Sequence, residues 1–284
     1  ANGVILITTK KGKAGDGKIN YDVYYGQAKV PTRLDLMNLQ EFAKYYNEVS
    51  VVPMEEFQNP ELLGEGTDWQ EAMFRTGHIQ NHQLSFSGGK DKTTYYLSGN
   101  YFKQTGTLNG SDFTRYATRF SMDHELKKWM KIGVSSNVTR SIQNVTLADA
   151  APGAIWDMSI LSPLTPVKNL DGTWAAGSNI IYNGQRPDIS NPIAESYFRG
   201  MKNTSSQVFG SVYADILLPK GLSFKNEFAY SLGMNNNIAY QKSGRIGTRP
   251  ELQSQLADYR GNSYYCALRN YLNFQKYTAK HGIT

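Results

Sequence analysis

The sequence predicts an all-β chain of long antiparallel strands, on three observations. Apolar and polar residues alternate along repeated stretches, most of these stretches reach 12 residues or more, and the joints between them alternate between short and long. Soluble strands usually run about five or six residues, whereas a tilted strand needs about ten to cross a bilayer. The predicted class is therefore an antiparallel transmembrane β-barrel segment. Composition agrees, since 19 tyrosines and 26 glycines with only 19% charged residues suit a turn-rich β protein.

Near the N-terminus, Gly12, Gly17 and Lys18 stand at the Gly-x-x-x-x-Gly-Lys spacing of a phosphate-cradling loop. That chemistry needs a Ser or Thr hydroxyl after the lysine to bind magnesium, and a helix N-terminus aimed at the phosphates. Here Ile19 follows, and residues 19–27 alternate as a strand. Residues 4–9 read as one strand, 10–18 as a flexible Gly/Lys connector, and 18–29 as the first long strand. Ile19, Tyr21, Val23 and Tyr25 share one face of it, and Ile19 is expected to be its first side chain toward lipid.

Leu36, Leu39, Phe42, Ala43 and Tyr46 recur at helical spacing across 35–49, and a second short helix is expected at 69–74. Strands resume at 81–88, 92–104, 114–125, 129–141, 205–218, 221–233 and 262–277. Along 114–125, Tyr116, Thr118, Phe120 and Met122 alternate with Arg115, Arg119, Ser121 and Asp123. Along 221–233, Leu222, Phe224, Phe228 and Tyr230 alternate with Ser223, Lys225, Glu227 and Ser231. Short turns fall at 88–91, 125–128 and 219–221, and longer connections at 30–80, 104–113, 142–204 and 234–261. Short turns on one edge and long loops on the other form the layout of an outer-membrane barrel. A β-sandwich, soluble or surface-attached and binding carbohydrate, would share the alternation but not the sorting. Eight strands also suffice for a small self-closed barrel, in which 18–29 would pair with 262–277. Tyr95, Tyr96, Tyr101 and Phe102, with Tyr264, Tyr265, Tyr271 and Phe274, lie near strand ends, as interfacial aromatic girdles do.

Several classes are disfavoured. No run of about 18 apolar residues could form a membrane-spanning helix. The net charge of +6 is scattered without a basic block, which argues against nucleic acid. Cys266 is the only cysteine, so neither an internal disulfide nor a thiolate cluster is available. His78 and His82 are four apart but lack an accompanying carboxylate pattern, and no Ser/His/Asp arrangement stands out. No enzyme activity, metal or cofactor is expected. The loop 142–204 carries Trp156, Asp157, Trp174, Tyr182, Asn183, Gln185, Arg186 and Asp188. Aromatic faces stack on sugars, and Asn, Asp and Arg supply directional hydrogen bonds. Trp156, Asp157, Trp174, Tyr182, Asn183 and Arg186 are the candidate ligand contacts. The alternative is that they pin the loop on itself or on a partner, as long loops require.

The motifs fall in a recognisable order. Residues 1–12 (ANGVILITTKKG), Thr67-Asp68-Trp69-Gln70, Leu84-Ser85-Phe86-Ser87-Gly88-Gly89, Tyr95-Tyr96-Leu97-Ser98-Gly99-Asn100-Tyr101 and Ser162-Pro163-Leu164-Thr165-Pro166 together resemble SusC/RagA-type TonB-dependent transporters. That resemblance implies an N-terminal plug inside a barrel of about 22 strands. It also implies a SusD-like surface lipoprotein as partner, oligosaccharide or oligopeptide as cargo, coupling through TonB, and the bacterial outer membrane as location. Residues 1–17 would be the end of the plug and its connector, and 18–284 the first part of the barrel. Both ends of the chain read as cut, with the TonB-contacting segment outside it. Sequence leaves open which cargo and which lipoprotein.

Overall fold

The computed structural model describes residues 10, 12–146, 153–250, 252–277 and 282–283; the strand expected at 4–9 lies outside them. Eight strands form one antiparallel sheet in sequence order: β1 Gly15–Ala28, β2 Gly77–Lys90, β3 Thr93–Thr105, β4 Asp112–Lys127, β5 Met130–Val145, β6 Arg199–Leu217, β7 Leu222–Gln241 and β8 Gln255–Phe274. Each pairs with its sequence neighbours, and β1 and β8 lie at opposite edges. The self-closed barrel is thereby corrected, because no β1–β8 ladder exists among the described residues. The sandwich is corrected too, since these strands build one sheet rather than two packed layers. A further two-residue pair joins β9 Lys276–Tyr277 to β10 Gly282–Ile283.

Alternation sorts the two faces. One row across the sheet joins Ile19, Phe86, Leu97, Phe120, Ser136, Gly210, Tyr230 and Cys266 through successive strand partners. The next row toward the loops joins Tyr21, Leu84, Gly99, Thr118, Val138, Val208, Leu232 and Tyr264. Neither carries a charge. Ile19 is 70% exposed, as are many large apolar side chains of this face to lesser degree, an arrangement water penalises at about 25 cal/mol per Å² and lipid does not. The opposite face is ionic near the short turns. Asp123 accepts from the Tyr213 hydroxyl at 2.6 Å and pairs with Lys131 at 3.6 Å. Glu227 pairs there with Lys225 at 3.5 Å and Arg269 at 3.6 Å.

The girdle expectation is corrected for Tyr264 and Tyr265, which stand midway along β8 rather than near its end because the strand begins at Gln255, and the eight aromatics divide between the faces. Consecutive side chains of a strand point oppositely, so Tyr95, Tyr101, Tyr264 and Phe274 join the apolar face while Tyr96, Phe102, Tyr265 and Tyr271 join the polar one. Tyr96 is buried, and the Phe102 ring lies at a tilt against Phe113 with centroids 6.0 Å apart. Two of the tight joints use left-handed backbone, at Asp91 (φ 55°) and Lys220 (φ 64°), as hairpin turns require.

Every long connection leaves the opposite edge. There α1 Leu39–Val49 begins four residues inside the expected start, directly after its cap Asn38, whose side chain and Glu41 form a reciprocal capping box. Helix α2 Trp69–Met73 is capped by Asp68. The loop 142–204 holds two short helices that alternation does not reveal, α3 Ala154–Ile160 and α4 Pro192–Phe198. Trp69, Met73, Ala154, Met158 and Leu161 bury one core between α2 and α3. Leu39, Ala43, Tyr46 and Phe57 bury a second under α1, and Ala176, Ala194, Phe198 and Ile246 a third.

Candidate functional site

The loop cluster is tied together by polar side chains reaching backbone. Gln70 brackets Leu34, donating to its carbonyl at 2.8 Å and accepting from its amide at 2.9 Å. The Trp69 indole donates to the Ser162 carbonyl at 3.2 Å. Asn191, fully buried, caps α4 by accepting from the Ile193 and Ala194 amides at 3.0 and 3.1 Å. Its amide group donates to the carbonyls of Val167 and Ala175 at 2.8 and 3.0 Å. One side chain thus joins the helix to two turns of the loop before it.

Each candidate contact residue has a definite place. Trp156 projects from α3 and is 54% exposed. Trp174 is held between the Tyr197 ring, 5.8 Å away, and the Lys168 ammonium, 4.6 Å from its centroid, and bridges to Ile246 in the loop before β8. Tyr182 packs edge-on to Phe42 and against Tyr46, with ring centroids at 6.0 and 5.7 Å; burial raises its phenol above the ordinary range. Asn183, in left-handed backbone, accepts from the hydroxyls of Ser50 at 2.5 Å and Tyr46 at 3.2 Å. Arg186 donates to the Ser178 carbonyl at 2.7 Å. These contacts link residues 168–197 to one another, to α1 and its C-terminal cap, and to the loop before β8. They do not converge with Trp156 on one point.

Asp157 is 4% exposed and lines a cavity of about 70 Å³ with Glu195, Arg199 and Arg249. Burial, then the Glu195 carboxylate, pushes it up to about 6 from 3.8, against the pull of Arg249. Glu195 pairs with Arg199 at 3.0 Å and Arg249 at 3.6 Å, and accepts from Ser190 at 2.6 Å. Arg249 also pairs with Asp188 at 2.7 Å. Sequence reading singled out Asp157 and Asp188 but not Glu195, Arg199 or Arg249. No spacing signals that pairing, because Arg249 arrives from a different connection. A larger cleft of about 520 Å³ opens between 33–38, α2 and the end of α3. His78 and His82 both lie on β2, about 13 Å apart along a strand, beyond the reach of one ion. Each is hydrogen-bonded to a tyrosine of β1 instead. Among the described residues, no group of three or more His, Cys, Asp or Glu could hold a metal.

No family model matches the chain. It is similar over its whole length to TonB-dependent receptor P3 of Formosa agariphila, at 30% identity over 293 residues. It is similar to TonB-dependent receptor SusC of Bacteroides thetaiotaomicron at 25% identity, covering 93% of the chain. The chain spans 28% and 26% of the lengths of these two relatives. In structure it resembles the RagAB peptide importer in its closed-closed state, with a TM-score of 0.75 at 18% identity. That likeness covers 95% of this chain and 34% of the other; the open-open state gives a TM-score of 0.73. An eight-stranded sheet with sorted faces and sorted loops, matching receptors of one kind from end to end, is a SusC/RagA-type segment of a TonB-dependent receptor.

Proposed function

We propose that this chain supplies part of the wall and outer rim of a TonB-dependent importer in the bacterial outer membrane. In this reading the importer works with a SusD-like lipoprotein and carries an oligosaccharide or oligopeptide. The observation that carries it is the sorting of the sheet: charge-free apolar rows back an ionic face, and every long connection leaves one edge. A lumen needs the ionic face and a bilayer needs the apolar one. The unpaired edges of β1 and β8 call for further strands, because lipid does not tolerate open backbone. Residues 1–17 then close the plug and 18–284 begin the wall, while TonB is met by parts of the receptor outside this chain. Within the rim we assign ligand contact first to Trp156, whose ring is exposed and unstacked among the described residues. Asp157, Trp174, Tyr182, Asn183 and Arg186 hold the surface that the ligand meets. Transport needs no bond making, so the assignment is to a carrier.

The test uses the full-length receptor in cells that lack its gene. Wild-type receptor should fractionate with the outer membrane, shift its gel mobility on heating, and restore uptake of a labelled oligosaccharide or oligopeptide. Recovery in the soluble fraction without detergent, or uptake of both cargo classes unchanged by the deletion, refutes it.

A further inference from the structure

The apolar face changes character within three rows of the loop edge. There it carries His78 and His82 on β2, Lys103 on β3, Arg140 on β5 and Lys202 on β6. His82, Tyr101, Tyr116 and Arg140 are successive partners in one row; Lys103 lies one row farther out, and His78 and Lys202 two rows. At about 7 Å per row this makes a band roughly 14 Å tall. The Tyr21 and Tyr25 hydroxyls are hydrogen-bonded to the Nδ1 atoms of His82 and His78 at 2.7 and 2.5 Å. An anion facing Nε2 would select the tautomer that carries Nε2–H, in which the tyrosine donates to Nδ1. The His82, Tyr101 and Tyr116 rings follow at 6.1 and 5.3 Å. Of the band's acids, Asp258 pairs with Arg260 at 2.6 Å, while Asp112, hydrogen-bonded by the neutral Asn144 amide at 2.9 Å, keeps its charge and offsets one of the three remaining cations. Lys103, Arg140 and Lys202 are exposed and make no ion pair among the described residues.

Cations on a lipid-facing surface are costly at the bilayer centre and cheap at its interface, and phenols mark that interface. The surplus of positive charge still needs an anion at the same depth. We infer that this band binds the phosphorylated headgroup of a lipid in the loop-side leaflet, with Lys103, Arg140 and Lys202 supplying charge and His78 and His82 supplying directed N–H donors. The inference rests on the proposed membrane location.

Full-length receptor in nanodiscs containing equal amounts of bisphosphorylated and dephosphorylated lipid A tests it, with retained lipid read by native mass spectrometry. Wild type should enrich the phosphorylated form. Each cation contributes about fivefold, so Lys103→Gln, Arg140→Gln and Lys202→Gln combined should cut the enrichment about a hundredfold. Arg115→Gln with Arg119→Gln, on the opposite face, should leave it unchanged, and excess inorganic phosphate should not displace the lipid. Folding of each variant is checked by its heat-dependent gel shift; if the triple variant fails to fold, the single substitutions should each show the fivefold loss. Equal enrichment in wild type and folded variants overturns the inference, as does equal loss in the opposite-face pair or displacement by phosphate. Insertion without preference overturns the inference alone, whereas failure of the wild type to insert overturns the membrane reading with it.

Discussion

Asn191→Ala isolates what holds the rim together. The side chain is fully buried and makes four hydrogen bonds, two as the cap of α4 and two to the carbonyls of Val167 and Ala175. Losing the cap costs about 1 kcal/mol. The two stranded carbonyls, that of Ala175 buried and that of Val167 partly so, cost about 1–3 kcal/mol each, for a total of roughly 3–7 kcal/mol. Since α4 leads directly into β6 while the ladder stays intact, the loss should fall on local opening of the loop. Hydrogen exchange of the full-length receptor should show protection across 190–198 falling by at least about two orders of magnitude, with strand amides unchanged. Asn191→Ser keeps an acceptor for the cap and should recover about fivefold of that loss. Asn191→Asp keeps the cap but sets a carboxylate against two carbonyls, and should do no better than Ala. A fall of less than threefold for Asn191→Ala would refute the assignment of this residue as the junction of the loop.

Three further outcomes are expected. Asp157 titrates near 6 when folded against 3.8 unexposed to this environment, so its contribution to loop stability is full below about pH 4 and is lost as pH rises to about 6; exchange rates corrected for pH should show this decline, and Asp157→Asn should abolish it. Trp156→Ala should weaken substrate capture by up to about tenfold with loop protection intact, whereas Trp174→Ala should loosen 168–197 through loss of its Tyr197 and Lys168 contacts; the reverse pattern in exchange and binding assays would exchange their roles. The isolated 284-residue chain should give no heat-modifiable species on refolding with detergent, because β1 and β8 keep open edges.

The sheet was legible because its code is local. Strict alternation, as in Tyr116, Thr118, Phe120 and Met122, needs only neighbouring residues, and turn sorting needs only their spacing. Strand ends were less legible: β2 starts at Gly77 rather than 81, and β6 at Arg199 rather than 205. In those extensions His78, Gln80, Lys202 and Thr204 occupy the outward face, so polar residues stand on both faces and the alternation fades. Helix α4 carried a readable signal in Asn191-Pro192, a cap followed by proline at the first helical position. Its partners did not, because the meeting of Glu195 with Arg249 joins residues from separate connections. Asp157 was legible as a polar loop residue, but its burial depends on that same meeting.

The long connections share buried cores and fixed pairings while their ends are stitched into four adjacent hairpin pairs of one sheet. Mechanically this makes the rim a stator. It cannot swing outward without shearing backbone ladders along β1–β2, β3–β4, β5–β6 and β7–β8 together. In the proposed importer, opening and closing of the passage would therefore fall to bodies that are not sewn into this stretch of wall, with the rim as their fixed seat.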